Sequence, residues 1–392
     1  MKLSYTSTRI ACYTGITVQA IINNFLPIIF IVFNENYGLS YEELGRIIFI
    51  NFGVQIFADF AATKISDLLG LRITAFLCQF FAAVGLFLLC LLPEIMNNTY
   101  LAIIISVVFY AFGSGLMEVI LSPIIEHLPL KNKGAQMSFL HSFYCWGQAF
   151  TVIGTTLLMK ITGYEKWNFI PLIWAVIPFL NSIAFFKVPI VTPSNTHDKM
   201  PTSKLFKDKS FICFMIFMLC AGASEISLAQ WSSIFAQQSL GVSKVTGDIL
   251  GPCAFALFMG AGRIIFGALS GKVSIRKIFI INNIICTACY LLVAFCKIPA
   301  AALIGCAACG FSVCLSWPGT YSMASAKFLS AGTIMFSILA LCGDFGCSVG
   351  PWILGAIADI FGLSLGFAVC AIFPIIMTIT ALIVKEKDCK TE

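Results

Sequence analysis

Long apolar stretches separated by short polar breaks run through the whole chain. A helix needs about 20 mainly apolar residues to cross the roughly 30 Å hydrocarbon core of a bilayer. The sequence contains twelve such stretches, at 10–33, 44–65, 73–92, 100–125, 137–159, 168–187, 209–234, 247–270, 277–296, 300–322, 332–357 and 363–384. The pattern therefore predicts an all-α membrane protein with twelve transmembrane helices.

The longest polar stretch lies midway along the chain, from Pro189 to Lys209, and leaves six apolar stretches on either side. It predicts an N-terminal six-helix bundle at 1–188, a cytoplasmic linker at 189–208 and a C-terminal six-helix bundle at 209–392. Two equal halves are typical of carriers built from parallel repeats, which bind substrate between the halves near the middle of the membrane.

Composition agrees with a membrane location, since 59% of the residues are hydrophobic and 11% are charged, against roughly a quarter charged in soluble domains. The net charge of +6 does not indicate a nucleic-acid partner, because Lys and Arg punctuate the apolar stretches and form no single patch. Eighteen of the 24 Lys and Arg residues fall on the same side as the N-terminus. The positive-inside rule then predicts cytoplasmic termini. We expect the protein to lie in the plasma (cell inner) membrane.

Most of the seventeen cysteines lie within the apolar stretches. Two C-x-x-C pairs, Cys286 with Cys289 and Cys306 with Cys309, each lie within one predicted helix. Nothing nearby completes a four-ligand site, so we interpret them as small packing residues. We expect no disulfide framework, no metal and no cofactor.

A short loop with charge and glycine follows the second apolar stretch, with Asp67, Gly70 and Arg72. It resembles the D-x-x-G-x-R loop of the major facilitator superfamily. A related loop with Gly267 and Lys272 follows the eighth stretch, where Gly271 replaces the acid. Such loops lock helix ends through contacts that break when the halves move. We expect gating roles for Asp67, Gly70, Arg72, Gly267 and Lys272.

Four acids occur inside apolar stretches: Asp59, Glu118, Glu225 and Asp344. A charge near the bilayer centre costs at least about 2.5 kcal/mol, so such acids are candidates for function. A carboxyl that exchanges a proton as its site opens to either side is the minimal part of a proton-coupled carrier. The alternative is a carboxyl that hydrogen-bonds a neighbouring helix.

Other interpretations exist for three ionisable residues of the apolar stretches. His141 is suited to relaying a proton, because histidine titrates near neutral pH, or to being an ordinary interior histidine. Asp59 is expected to brace the inner gate near Arg72. Arg263, within the eighth stretch, is a gating candidate and a structural partner for an acid or for a helix end.

Amides and aromatic rings within the apolar stretches indicate a polar ligand, because rings cover C–H surfaces and polar groups read hydroxyls. Packing of Trp231 and amide bonds between helices are the alternatives to ligand contact. The candidate substrate-binding residues are Gln19, Asn23, Asn24, Tyr144, Gln148, Gln230, Trp231 and Trp317.

Several of these segments resemble the fucose permease branch of the superfamily, the fucose-glucose-galactose proton symporters. The segments are 20–24, 115–123, 140–147, 317–318 and 355–359. The resemblance implies that Glu118 is the proton-linked acid and that Asn23, Asn24 and Gln148 belong to the sugar cavity. Symporters of this branch often carry an Asp after the double Asn, whereas the first stretch here contains no acid. Glu225 or Asp344 is then the candidate for the second coupling group.

Together these features predict a monomeric secondary carrier, surrounded by membrane lipid, that imports a sugar or similar small polar metabolite with protons. An exporter of drugs or metabolites shares the fold and the loop motif. A non-transporting receptor or scaffold is the third alternative, although it has little reason to bear the cost of buried acids. No nucleotide loop, metal cluster or activated nucleophile supports an enzyme or a primary pump.

Overall fold

The computed structural model describes residues 4–129, 133–191, 205–269, 274–328 and 332–384. Within these ranges all regular structure is helical. Eleven helices are long and apolar enough to cross a membrane, and the 30-residue helix Lys133–Thr162 supplies the twelfth. The predicted all-α membrane fold is confirmed.

Twelve helical rods follow one another along the chain. In the first half they are α1, Tyr5–Tyr37; α2 and α3, residues 41–69 and 71–95 of Tyr41–Ile95; α4, Thr99–His127; α5, Lys133–Thr162; and α6, Tyr164–Lys187. In the second half they are α7, Lys209–Gln238; α8, residues 244–269; α9, Ile275–Phe295; α10, residues 299–327; α11, Gly332–Phe361; and α12, Leu363–Ile383. Residues 192–204, which form most of the predicted linker, lie outside the described ranges.

Proline explains local breaks in two of these helices. The helical hydrogen bonding of α10 is interrupted after Val313 and that of α12 at Ala371. Each break lies three to five residues before a proline, Pro318 in α10 and Pro374 in α12. A proline ring clashes with the carbonyl four residues earlier and has no N–H to donate. These helices therefore bend within the membrane-length segment.

The chain divides into two compact units. The first unit, here unit 1, contains Met1–Leu39 and Ile50–Asn195, and unit 2 contains Ser40–Phe49 and Thr196–Glu392. The first turns of α2 thus belong to unit 2, whereas the predicted N-terminal bundle at 1–188 included them. Interactions of residues 40–49 with α11, described below, account for this grouping.

An arginine at the start of the third helix of each half makes the same kind of contact. Nη1 of Arg72 donates to the carbonyls of Phe185 and Phe186, at 3.2 and 2.7 Å, where α6 ends. Arg276, at the start of α9, donates to the carbonyls of Ala381 and Leu382 at the end of α12, both at 2.9 Å. Helix-terminal carbonyls lack intrahelical donors and carry partial negative charge, which the guanidinium satisfies. This equivalence supports an internal repeat.

Glycines allow some helices to approach each other closely. A Cβ on Gly115 of α4 would lie 2.5 Å from the carbonyl oxygen of Gln55 in α2, and one on Gly346 of α11 would lie 1.8 Å from that of Leu219 in α7. No side chain fits at such distances, so the backbones pack directly, as is common in membrane proteins. These contacts bring polar residues next to the glycines into reach of neighbouring helices.

Candidate functional site

The acid of α4 is bonded to the first helix in unit 1. Glu118 is half-buried, and its Oε2 accepts a hydrogen bond of 2.9 Å from Nε2 of Gln19. Gln19 is buried at 7% exposure. The amide N–H of Gln19 can donate to this carboxyl whether the acid is ionised or neutral. Such a contact is compatible with a change of protonation.

A second polar group in unit 1 centres on Asn23 of α1. Its Oδ1 accepts from Nδ2 of Asn51 at 3.1 Å and from Nε2 of Gln55 at 2.9 Å, both on α2. Ser114 of α4 donates to Oε1 of Gln55 at 2.8 Å. Nδ2 of Asn23 lies 3.4 Å from the hydroxyl of Tyr144 on α5. Four helices thus contribute to one hydrogen-bonded chain.

Sequence reasoning missed Asn51, Gln55 and Ser114. Asn51 and Gln55 are four residues apart and so share one face of α2, a spacing that was available as a signal. Ser114 lies between two glycines, Gly113 and Gly115. Their partners are distant in sequence, so pattern alone does not connect them.

The other predicted polar residues of unit 1 occupy different surroundings. Asn24 is buried and donates to the carbonyl of Ala20 in its own helix at 2.9 Å. Gln148 is 2% exposed, and its Nε2 has no hydrogen-bond partner within the described part of the chain. His141 is exposed on α5, one turn before Tyr144. His141, Tyr144 and Gln148 share a helix face by spacing.

In unit 2 the acid of α7 lies near an arginine. Oε2 of Glu225 is 3.9 Å from Nη2 of Arg263 on α8, and the side chains are 7% and 21% exposed. Glu225 and Arg263 are therefore partners that connect α7 and α8. The hydroxyl of Tyr290 on α9 donates to the carbonyl of the adjacent Ser224 at 2.6 Å. Glu225 therefore lies where three helices meet.

Asp344 lies on α11 beside an aromatic contact. It is 4% exposed. A Cβ on the preceding Gly343 would lie 2.3 Å from the ring of Trp317, so the indole of α10 covers this part of α11. Trp317 is half-buried. The glycine thus brings Trp317 and Asp344 to the same segment of unit 2.

Trp231 and Gln230 are buried in α7, at 0% and 2% exposure. Nε1 of Trp231 donates to the carbonyl of Pro351 on α11 at 3.1 Å, and its ring lies 6.1 Å from that of Tyr41. These contacts show how the ring of Trp231 packs, and its contact with a ligand stays a prediction.

The predicted gating loop of the first half forms a turn. Gly70 has φ 79° and ψ 155°, which only glycine adopts readily, and this residue separates α2 from α3. Asp67 is exposed and Asp59 is half-buried. Arg72 makes the contact with α6 described above. In the second half, Gly267 lies in the last turns of α8, and Lys272 lies outside the described residues.

Residues 40–49 are held to α11 in unit 2. Both carboxylate oxygens of Asp359 accept backbone N–H bonds, from Tyr41 at 2.7 Å and from Glu42 at 3.0 Å. Nε1 of Trp352 donates to Glu42 at 3.2 Å, and Ser348 donates to the carbonyl of Phe49 at 2.9 Å. A carboxylate at a helix N-terminus satisfies donors that have no helical partner.

A buried ion pair that sequence reasoning also missed lies at the start of α8. Nζ of Lys244 is 3.0 and 2.9 Å from the two carboxylate oxygens of Asp248, and Ser233 of α7 donates to the same carboxylate. Asp248 is 0% exposed and Lys244 is 9% exposed. The i, i+4 spacing was the available signal. The ion pair lies within α8, and the bond from Ser233 connects its carboxylate to α7.

Sγ of Cys286 and Sγ of Cys309 lie 3.7 Å apart, on α9 and α10. Among the described residues, no group of three or more His, Cys, Asp or Glu side chains is arranged to hold a metal.

Outside the spans, Asp208 caps α7 in unit 2. Burial raises the pKa of this carboxyl, but a bond from the Ser210 N–H and the neighbouring Lys327 ammonium outweigh burial and lower the pKa below its usual value. Nζ of Lys327 lies 3.2 Å from Oδ1 of Asp208.

A sequence model of the Major Facilitator Superfamily matches residues 12–348 and, in a second match, residues 253–390. The chain belongs to this superfamily. It is a multi-pass integral membrane protein of a family of transporters that are typically not enzymes.

Individual proteins are more distantly similar. Membrane protein MosC of Rhizobium meliloti is 25% identical over 342 residues, which are 83% of this chain and 78% of MosC. The fucose–proton symporter of E. coli superposes with a TM-score of 0.66 and 16% identity, over 96% of this chain and 98% of that one. A D-xylose–proton symporter gives 0.81 and 13%, over 99% and 100%. At these identities the structural similarity shows the fold alone.

Proposed function

We propose that the protein is a secondary carrier that works by alternating access and couples a sugar, or a similar small polar metabolite, to protons. The observation that carries this proposal is the half-buried carboxyl of Glu118, bonded to Gln19 within a membrane-length helix. An acid at such a position is costly unless it is used. Both termini face the cytoplasm of a plasma membrane in this proposal.

The neighbouring groups support a polar ligand. Tyr144 lies next to Asn23, and Gln148 brings a buried amide to the same face of α5. A neutral hydroxylated molecule both donates and accepts hydrogen bonds, which amides and a phenol match well. The fucose–proton and D-xylose–proton symporters share this fold, which makes proton-coupled sugar transport the first activity to test.

In this proposal Glu118 takes up a proton on one side of the membrane and releases it on the other. Gln19 keeps the carboxyl in place in both protonation states, because an amide N–H donates to a neutral or an ionised acid. Glu225, with Arg263 nearby, and the buried Asp344 are the candidates for a second coupling group in unit 2.

The test is uptake into liposomes under an imposed pH gradient, with labelled fucose, D-xylose and then unrelated polar metabolites. We expect accumulation by the unmodified protein. Glu118→Gln should abolish accumulation and leave counterflow exchange within about threefold, since the amide keeps the shape of the side chain and cannot ionise. Glu165→Gln, at an exposed acid in the first turn of α6, is the matched control. Accumulation by Glu118→Gln equal to the control would contradict the role of Glu118.

A further inference from the structure

The hydrogen-bonded chain in unit 1 has a defined direction. Nε2 of Gln55 lies 3.4 Å from the backbone carbonyl of Asn51, as well as 2.9 Å from Oδ1 of Asn23. A carbonyl only accepts, so the nitrogen of the Gln55 amide must be on this side. The opposite atom, Oε1, is then an acceptor and faces Ser114, whose hydroxyl donates to it at 2.8 Å. The orientation of Gln55 therefore follows from its surroundings.

The orientation of Gln55 fixes that of the next amide. Oδ1 of Asn23 receives both the Gln55 nitrogen and the Asn51 nitrogen, two amide donors that meet at one atom. An amide turned the other way would set its own N–H groups against the Gln55 nitrogen. Nδ2 of Asn23 consequently points to α5, where the hydroxyl of Tyr144 lies at 3.4 Å. Ser114 thus orients Gln55, and Gln55 orients Asn23 towards Tyr144.

Close backbone contact makes the chain possible. Gly115 places α4 against Gln55, with 2.5 Å between a hypothetical Cβ and the Gln55 carbonyl oxygen. The adjacent Ser114 is thereby within hydrogen-bond distance of the Gln55 side chain. Asn23, Asn51, Gln55 and Ser114 are all at most 5% exposed. At low dielectric, aligned hydrogen bonds reinforce one another, and reversal of one member breaks the others.

We propose that Ser114 and Gln55 are positioning residues, which turn Asn23 and Tyr144 so that this part of unit 1 presents hydrogen-bond donors to an oxygen of the ligand. The members of the chain are neutral, which suits a neutral hydroxylated ligand over an anion. This inference rests on the proposed transport function and deepens it, since it assigns specificity to two residues set behind Asn23.

The first measurement needs no ligand. Ser114→Ala, Gln55→Met and the double variant are compared by thermal unfolding of the purified protein in detergent. Because Ser114 acts through Gln55, we expect the double variant to shift the unfolding temperature by little more than Gln55→Met alone. Additive shifts would overturn the proposal, since independent contacts do not form an aligned chain.

The second measurement is transport by the same variants, using fucose and D-xylose as probes. We expect KM to rise about tenfold in Ser114→Ala and Gln55→Met, as for the loss of one well-placed donor, while kcat per folded molecule stays within about twofold. The control is Asn181→Leu, which removes a buried amide that donates from α6 to the carbonyl of Ala11 at 3.0 Å. It should lower stability and leave KM unchanged.

An unchanged KM in both chain variants would overturn the proposal even if the unfolding shifts are coupled, because the chain would then serve stability alone. A parallel rise of KM in Asn181→Leu would overturn it as well. If the unmodified protein transports neither sugar, the sugar assignment fails at that step. The unfolding cycle still decides separately whether the aligned chain exists.

Discussion

The two units hold their buried polar groups in different ways. In unit 1, Asn23 and Gln55 each bond to side chains of neighbouring helices. In unit 2, Ser224 Oγ and the Nδ2 atoms of Asn282 and Asn283 are buried without a hydrogen-bond partner among the described residues. Buried polar groups normally find partners in protein or water. Unit 1 also contains such an atom, Nε2 of Gln148, so the contrast lies between two groups of residues and not between whole units. The side chains around Asn23 bond to one another, whereas these three atoms of unit 2 are open to further partners.

The two units also differ in how closely their helices approach each other. The approach of α7 to α11 in unit 2 is closer than any measured between α2 and α4: a Cβ would lie 2.1 Å from a carbonyl oxygen at Gly222 and 1.8 Å at Gly346. No side chain larger than a hydrogen atom fits at these two positions, so the contact between α7 and α11 requires glycine. We therefore expect close backbone packing of α7 against α11 to stabilise unit 2, and hydrogen bonds between α1, α2 and α4 to stabilise unit 1.

The largest expected effect comes from filling this contact. Gly346→Ala should lower the free energy of unfolding by about 3 kcal/mol, because the added methyl forces two helices apart. Gly53→Ala is the control, since no atom lies within 4 Å of a Cβ there, and its effect should be neutral or slightly stabilising. Thermal unfolding in detergent gives both values. Equal small shifts would show that α7 and α11 separate easily.

The next effect tests the charge pair of unit 2. Arg263→Gln should destabilise the protein by about 2 kcal/mol, because it leaves Glu225 without its neighbouring positive charge. Adding Glu225→Gln should restore part of the loss. A double-mutant cycle on the unfolding free energy measures the coupling. Strict additivity would mean that the 3.9 Å separation carries no interaction.

Sequence patterns predicted the helices correctly and singled out the acids within them, whose roles stay predictions, for physical reasons. A membrane span can be recognised from about 20 consecutive apolar residues, without knowledge of distant contacts. A lone acid such as Glu118 is conspicuous within such a stretch. Asn51, Gln55 and Ser114 did not stand out, because an amide or hydroxyl in a helix has many uses. Their role depends on which helix faces them, and the partners of Asn23 lie 28 and 32 residues away.

The duplicated arginines test whether the two halves are built alike. Arg72→Ala and Arg276→Ala each remove two bonds to helix-terminal carbonyls. We expect each to lower the unfolding free energy by about 1.5 kcal/mol, the value of a charged hydrogen bond. Lys277→Ala, at an exposed side chain next to Arg276, should change little. A loss confined to one arginine would break the equivalence.

The smallest effect concerns the partly exposed ion pair between Asp208 and Lys327 in unit 2. The folded pKa of Asp208 is lowered, so its stabilisation is present above the ordinary value of about 3.9 and is lost as pH falls through the lowered folded pKa. Asp208→Asn should therefore cost less than about 0.5 kcal/mol at neutral pH, as exposed pairs do. The difference from the unmodified protein should vanish in strong acid. Unfolding temperatures across pH provide the comparison.

Proton movement by Glu118 is the claim on which the functional account depends. The most direct measurement follows lumenal pH with a trapped dye, after the transported molecule is added outside liposomes that carry no initial pH gradient. We predict that the unmodified protein and Glu165→Gln acidify the lumen after the molecule is added, whereas Glu118→Gln produces no acidification, although it still exchanges the molecule when the liposomes are loaded with it beforehand. Acidification by Glu118→Gln at the rate of the control would contradict the account.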